Sequence, residues 1–202
     1  MHETKSPSCS DKVTACNAMK NFSSQLRAFI ANAPEMRPLL CEGNPLTCTV
    51  AVVGINPAAT IPFWPFWSDD KGMDRASWVT AYKALRNGKL SRSRAALERF
   101  VPQVTARVIE LNAHAKQSKR LASLKREHRT TDVLEFVLGA VKPRVVLCAG
   151  ASALSVVQGL SMPWIPTVVE ARHFIYWGVE YERVLAERVN SSLYTMDAGQ
   201  FC

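Results

Sequence analysis

The sequence predicts a three-layer α/β/α domain on a central, mostly parallel four-stranded sheet. Three observations lead there. Short apolar runs at residues 46–53, 105–111, 144–148 and 166–170 are rich in β-branched residues. The first of them is apolar on both faces, as strands covered by helices on two sides require. Segments of helical pattern separate the runs, and strand-helix alternation favours right-handed crossovers between parallel strands. Turn residues punctuate the strand ends, with Gly54, Asn112 and Gly150 each following a run.

The elements follow in order. Residues 1–20 are mixed and polar and are expected to be loose. A helix is expected over 22–31, ending before Pro34. Pro38 and the Gly43-Asn44-Pro45 turn lead into the first strand. Residues 54–75 read as a long loop of the functional kind, followed by a helix over 77–85. Asn87-Gly88 marks a turn before a short helix over 92–100. The second strand is interrupted by charge and ends at Asn112, and residues 116–126 suit an exposed basic helix. Thr131-Asp132 with Glu135 forms a capping signal for a helix to residue 141, which Pro143 stops. The third strand turns at Gly150 into a helix over 151–158. The fourth runs towards His173, and an amphipathic helix over 181–189 closes the sheet. No internal repeat or linker divides the chain, so residues 1–202 read as one domain.

Composition narrows the class. An apolar content of 48% with 21% charged residues fits a globule with a sizeable core and excludes a disordered chain. No run of about 18 apolar residues predicts a membrane span. Met1-His2-Glu3-Thr4-Lys5 does not lead into a secretory core, so a cytoplasmic location is expected. Cys9, Cys16, Cys41, Cys48, Cys148 and Cys202 form no CxxC pair. They read as reduced thiols, and neither metal nor cofactor is expected. Asp69, Asp70 and Asp74 read as a solvated turn rather than a cation site.

The formal charge of +8 is unevenly spread. Residues 83–129 carry thirteen Lys or Arg against three Glu, whereas residues 165–202 carry three Arg against four Glu and one Asp. If the basic residues share a face, a polyanion meets it; otherwise they keep the protein soluble.

Gly54-Ile55-Asn56-Pro57 sits where the first strand should end, at the edge of a parallel sheet where open α/β folds place ligands. Asn112 and His173 recur at the ends of the second and fourth strands. Parallel strands would bring all three side chains to one rim. Each also has a purely structural use: Asn56 as a turn cap, Asn112 as a strand terminator and His173 as a packed interface residue. Phe63-Trp64-Pro65-Phe66-Trp67 offers rings for the wall of a pocket, with Trp67 preferred over Phe66 as the ring facing a ligand.

On these residues the chain resembles the uracil-DNA glycosylase superfamily, most closely its Asn-containing, mismatch-specific (G:T/U) branch. Gly54-Ile55-Asn56-Pro57 resembles the first active-site motif, and Glu110-Leu111-Asn112 the strand ending in a base-reading Asn. The stretch 142–150 resembles the third strand with its glycine turn, and Glu170-Ala171-Arg172-His173 the approach to the second motif. The resemblance spans roughly residues 46–190. It implies that Asn56 positions water and that His173 stabilises charge on the leaving base. Phe66 or Trp67 would stack on that base, and Asn112 would bond its edge. Gly150 and Ser152 would hold a backbone phosphate. The second motif departs from the family pattern, continuing as Phe174-Ile175-Tyr176-Trp177-Gly178, and Ala58 stands where the branch often has Gly. Phe174, Tyr176 and Trp177 are thus candidate DNA wedges.

The expected function is a DNA-base glycosylase hydrolysing the N-glycosidic bond of uracil or another deaminated or mismatched base. DNA is the expected partner, without a membrane; the sequence leaves the oligomeric state open and is compatible with a monomer. Two other classes stand beside it: a noncatalytic DNA-binding or damage-sensing module, and a protein-interaction domain using the 174–177 aromatics.

Overall fold

A computed structural model describes residues 9–198 except 32, 34, 59 and 60. Four parallel strands form its centre: β2 (Val50–Gly54), β5 (Val108–Asn112), β6 (Val145–Ala149) and β7 (Thr167–Ala171). A two-residue strand, β1 (Leu40–Cys41), adds antiparallel to β5, so the sheet has five strands rather than the expected four, in the order β1-β5-β2-β6-β7. Two residues between Pro38 and Gly43 are too short to show any period, which hid β1 in the sequence. A hairpin of β3 (Trp67–Ser68) and β4 (Gly72–Met73) lies apart, inside the long loop.

Helices cover both faces of the sheet. α1 (Cys9–Ile30), α2 (Arg75–Ala84), α4 (Asp132–Val141) and α5 (Ala151–Gln158) share one apolar cluster with Ala51, Val53, Ile109 and Val146. α3 (Arg92–Phe100) and α6 (Val179–Ala198) share the other with Val50, Val52, Val145 and Leu147. The alternation of Val50 and Val52 against Ala51 and Val53 is the period-two geometry of a strand buried on both sides. Trp78, Phe63 and Phe100 are fully buried, and truncating a ring of that size costs about 3–5 kcal/mol. Among the described residues, no helix is long and apolar enough to cross a membrane.

Two expected elements differ. α1 starts at Cys9, well before residue 22, and within the stretch 1–20 expected to be loose it already buries Met19; residues 1–8 lie outside the described ones. Residues 116–126 do not form a helix but two 3-10 turns, Leu121–Ser123 and Arg126–His128. Tertiary bonds hold that segment extended at its start: Lys116 bridges Met36, and the buried Gln117 amide both accepts from Ile61 N (2.9 Å) and donates to Ile61 O (3.1 Å). The capping signal at Thr131 marks the start of α4, although its hydroxyl donates to the Glu135 carboxylate instead of accepting a backbone N–H.

Candidate functional site

The sheet changes direction at β2. The chain leaves β2 for β5 on one side, then crosses to β6 on the other, so β2 marks the switch point where open α/β sheets leave a crevice. Register sets Gly54 opposite Asn112 at that edge. Ala113 N donates to Gly54 O (2.8 Å) and His114 N to Ile55 O (3.0 Å), docking the two strand exits together. On the far side, Gly150 N donates to Ala171 O (2.8 Å), fixing the exit of β7. A cavity of about 380 Å³ opens between these exits, lined by Asn56, Asn112 and His173 together. That volume is within the range of small-ligand sites.

The Asn56 amide is oriented by its surroundings. Nδ2 donates to Ser118 O at 2.7 Å, while Oδ1 receives no hydrogen bond among the described residues. His173 is half-buried, and its Nδ1 accepts from Ile175 N (3.4 Å) at the start of a 3-10 turn, Phe174–Tyr176. That contact assigns the proton of the neutral ring to Nε2. Burial lowers the imidazole pKa from its ordinary 6.5, which keeps the ring neutral at physiological pH.

Two glycines make this approach possible. Gly150 has φ +99°, which L side chains rarely adopt, and a Cβ there would lie 3.4 Å from His173 Cβ. A Cβ on Gly54 would sit 3.0 Å from both Asn112 Oδ1 and Phe174 Cε2. Gly54→Ala is expected to displace the amide and the ring and to cost about 1–3 kcal/mol of stability by overpacking. The midpoint of urea denaturation measures it; an unchanged midpoint would mean that the neighbours yield freely.

The aromatic wall is not the one expected. Trp67 is buried against α1 and donates its indole N–H to Ser23 Oγ (2.8 Å), with Phe22 6.1 Å away between ring centroids. Phe66 packs, half-buried, on the same core. Trp64 donates to Ala31 O (2.8 Å) beneath the Arg27 guanidinium. The 63–67 loop therefore clamps α1, because its indole N–H groups find their acceptors there. Asp69 joins this clamp by pairing with Arg27 (2.9 Å), whereas Asp74 caps α2 through Ser77 N (2.9 Å). The cavity takes its rings from Phe174 and from Tyr82 of α2, which sequence reasoning missed.

Within the second motif, Trp177 is also corrected. It is 4% exposed, donates its indole N–H to Arg172 O (2.6 Å) and packs edge-on to Phe100 and Phe174. It is a strut under the turn, not a wedge. Tyr176 and Ile175 are the exposed residues, at 67% and 40%. Tyr176 faces a second, more open groove lined also by Gly150, Arg172 and Arg188. Ser152 is exposed in the first turn of α5, whose cap, Gly150, has no side chain to satisfy the first N–H groups.

Below the cavity lies a charge cluster that the sequence signalled only as an acidic residue in an apolar strand. Glu110 accepts from Arg94 (2.9 Å) and Arg75 (2.9 Å), and Glu98 accepts from Arg75 (2.7 Å) and Arg94 (3.3 Å). Burial would raise the Glu110 pKa, but Arg94 and then Arg75 outweigh it and hold the carboxyl below its usual 4.5. The basic section of the chain is thus divided. Arg94 belongs to this interior cluster and Arg99 pairs with the wholly buried Glu182 (2.6 Å), whereas Lys119 and Arg120 stand at the cavity rim.

Fold and site together define an α/β protein with a polar, part-aromatic cavity at the carboxyl edge of its sheet. No protein-family model matches the chain, and no curated protein matches it.

Proposed function

We propose that this protein is a DNA-base glycosylase of uracil-DNA glycosylase type, acting on uracil or another deaminated or mismatched base. One observation carries the reading: Asn56, Asn112 and His173, from three separate strand exits, line one cavity with room for a nucleobase beside the Phe174 ring.

The chemistry follows from those groups. A base buried in a duplex must leave the stack before its glycosidic bond is reached, and pocket stacking and hydrogen bonds offset that cost. Phe174 supplies a ring in place of Phe66 or Trp67, and Asn112 an amide for the base edge. Tyr176 and Ile175, exposed on the adjoining turn, suit the opened base step. Asn56 has no useful acid-base pKa, so it orients water through Oδ1 rather than deprotonating it. The glycosidic electron pair departs with the base while the water oxygen bonds to the sugar carbon, and the proton that water then sheds passes to solvent, from which the released base anion is protonated. His173 Nε2–H then donates to the base oxygen on which negative charge grows, and a neutral donor avoids burying a second charge. Lys119 and Arg120 at the rim, Gly150 at the groove, and Ser152 exposed in the adjoining first turn of α5 suit backbone phosphates.

The test is base release from duplexes carrying uracil, hypoxanthine, xanthine or a mismatched thymine, read as strand scission after alkali. Release from at least one is expected. Its rate should be flat above pH 6.5 and fall only on the acid side, where a proton taken up at Nδ1 breaks the bond from Ile175 N that orients the His173 ring. No release at high enzyme concentration, with salt-sensitive DNA binding retained, would instead favour a noncatalytic damage sensor.

A further inference from the structure

The charge cluster beneath the cavity is balanced without one of its neighbours. Arg75 and Arg94 pair with Glu98 and Glu110, two cations against two anions. Arg37 is left over. It is 8% exposed, lines the same cavity, and its guanidinium makes no hydrogen bond or ion pair among the described residues. Its remaining contact is the face of Trp78, 5.0 Å from the ring centroid, which Arg94 also covers at 5.2 Å.

A guanidinium this far withdrawn from water and without a hydrogen-bonded partner is costly to hold. Burial, and then the nearby Arg94 charge, push its pKa down to about 9 against the opposing attraction of Glu110, which leaves it cationic at neutral pH. Its place in the cavity is marked by Glu110, near enough for the two charges to shift each other's pKa. Glu110 precedes Asn112 by two residues on the same sheet face, about 7 Å along the strand, and all three residues line the one cavity.

We propose that Arg37 is an anion subsite within the cavity, taking the carboxylate or similarly planar oxyanion of a heterocyclic ring. The planar fork of arginine matches two coplanar oxygens, and each charge-assisted bond forms where water is scarce. The inference concerns the cavity of the glycosylase reading but requires no bond cleavage. The preferred occupant is an acidic ring rather than neutral uracil.

Free orotate, a uracil ring carrying a carboxylate, and uracil itself are the probes, titrated calorimetrically into the full chain. Orotate is expected to bind at least about tenfold more tightly than uracil, a difference one charge-assisted pair supplies readily. Arg37→Met should abolish the preference, and Arg37→Lys should keep part of it, since charge remains while the fork is lost. Arg37→Met should melt close to the parent temperature, because relief of the buried charge is offset by the lost attraction to Glu110. Equal affinities, no measurable orotate binding at millimolar concentration, or a preference surviving in folded Arg37→Met would each overturn the subsite. Base release from DNA tests the glycosylase reading separately: its failure leaves the orotate result intact, and equal affinities for free rings leave base release untouched.

Discussion

Asn56→Ala is expected to lower base release by about 100-fold or more while DNA affinity stays within about twofold. The magnitude is that of losing the orientation of one reactant. The asymmetry follows from position. Asn56 lies inside the cavity with Oδ1 unengaged, whereas the groups suited to phosphates are at the rim and the groove. The variant should also keep its local fold. Removing the amide breaks the bond from Nδ2 to Ser118 O, but Ser118 N still donates to Pro57 O at 2.8 Å, so the two loops stay docked. Single-turnover release and equilibrium DNA binding on the same preparation measure both quantities. Equal turnover in the variant would reject the water-positioning role. Asn56→Asp is not a simple gain of a general base, because a carboxylate oxygen would replace the donor and face the Ser118 carbonyl.

The largest effect on stability is expected at Glu110. Glu110→Gln should destabilise the protein by about 3–5 kcal/mol, the scale for removing one partner of a buried ion pair. Here the loss is compounded, because Arg75 and Arg94 would share the single carboxylate of Glu98 and Arg37 would lose the nearby opposite charge of Glu110. The pH dependence has a definite sign. The Glu110 pKa is lower in the folded chain than its ordinary 4.5, so its ionised form stabilises the fold above that value. The contribution fades as pH falls through the lowered pKa. The difference between parent and variant in urea denaturation should thus be constant near neutrality and narrow on the acid side of pH 4.5. A constant difference down to pH 3 would show that the carboxylate charge is not what holds the cluster.

The four parallel strands were legible because each is a short apolar run, and burial on both faces leaves little room for any other pattern. Their carboxyl ends were legible too, which is why Asn56, Asn112 and His173 could be assembled before any geometry was known. The aromatic assignments failed for a different reason. A ring in a loop has no period to report which side it faces. Trp67 and Trp177 were decided by where their indole N–H groups find acceptors, at Ser23 on α1 and at the Arg172 carbonyl. The basic stretch 116–126 failed because charge alone does not make a helix when the Gln117 amide ties the backbone to Ile61.

By itself, the sequence determined the strand-helix alternation, the parallel sense of the sheet and the polar residues at three strand exits. These follow from hydrophobic periodicity and turn residues, which act between near neighbours in the chain. Packing in three dimensions set the short antiparallel edge strand, the replacement of Phe66 and Trp67 by Phe174 and Tyr82, and the place of Arg37 beside a cluster whose carboxylates are already paired. Those depend on which distant residues share a buried volume, and pairing between charges or rings far apart in sequence leaves no mark on local pattern.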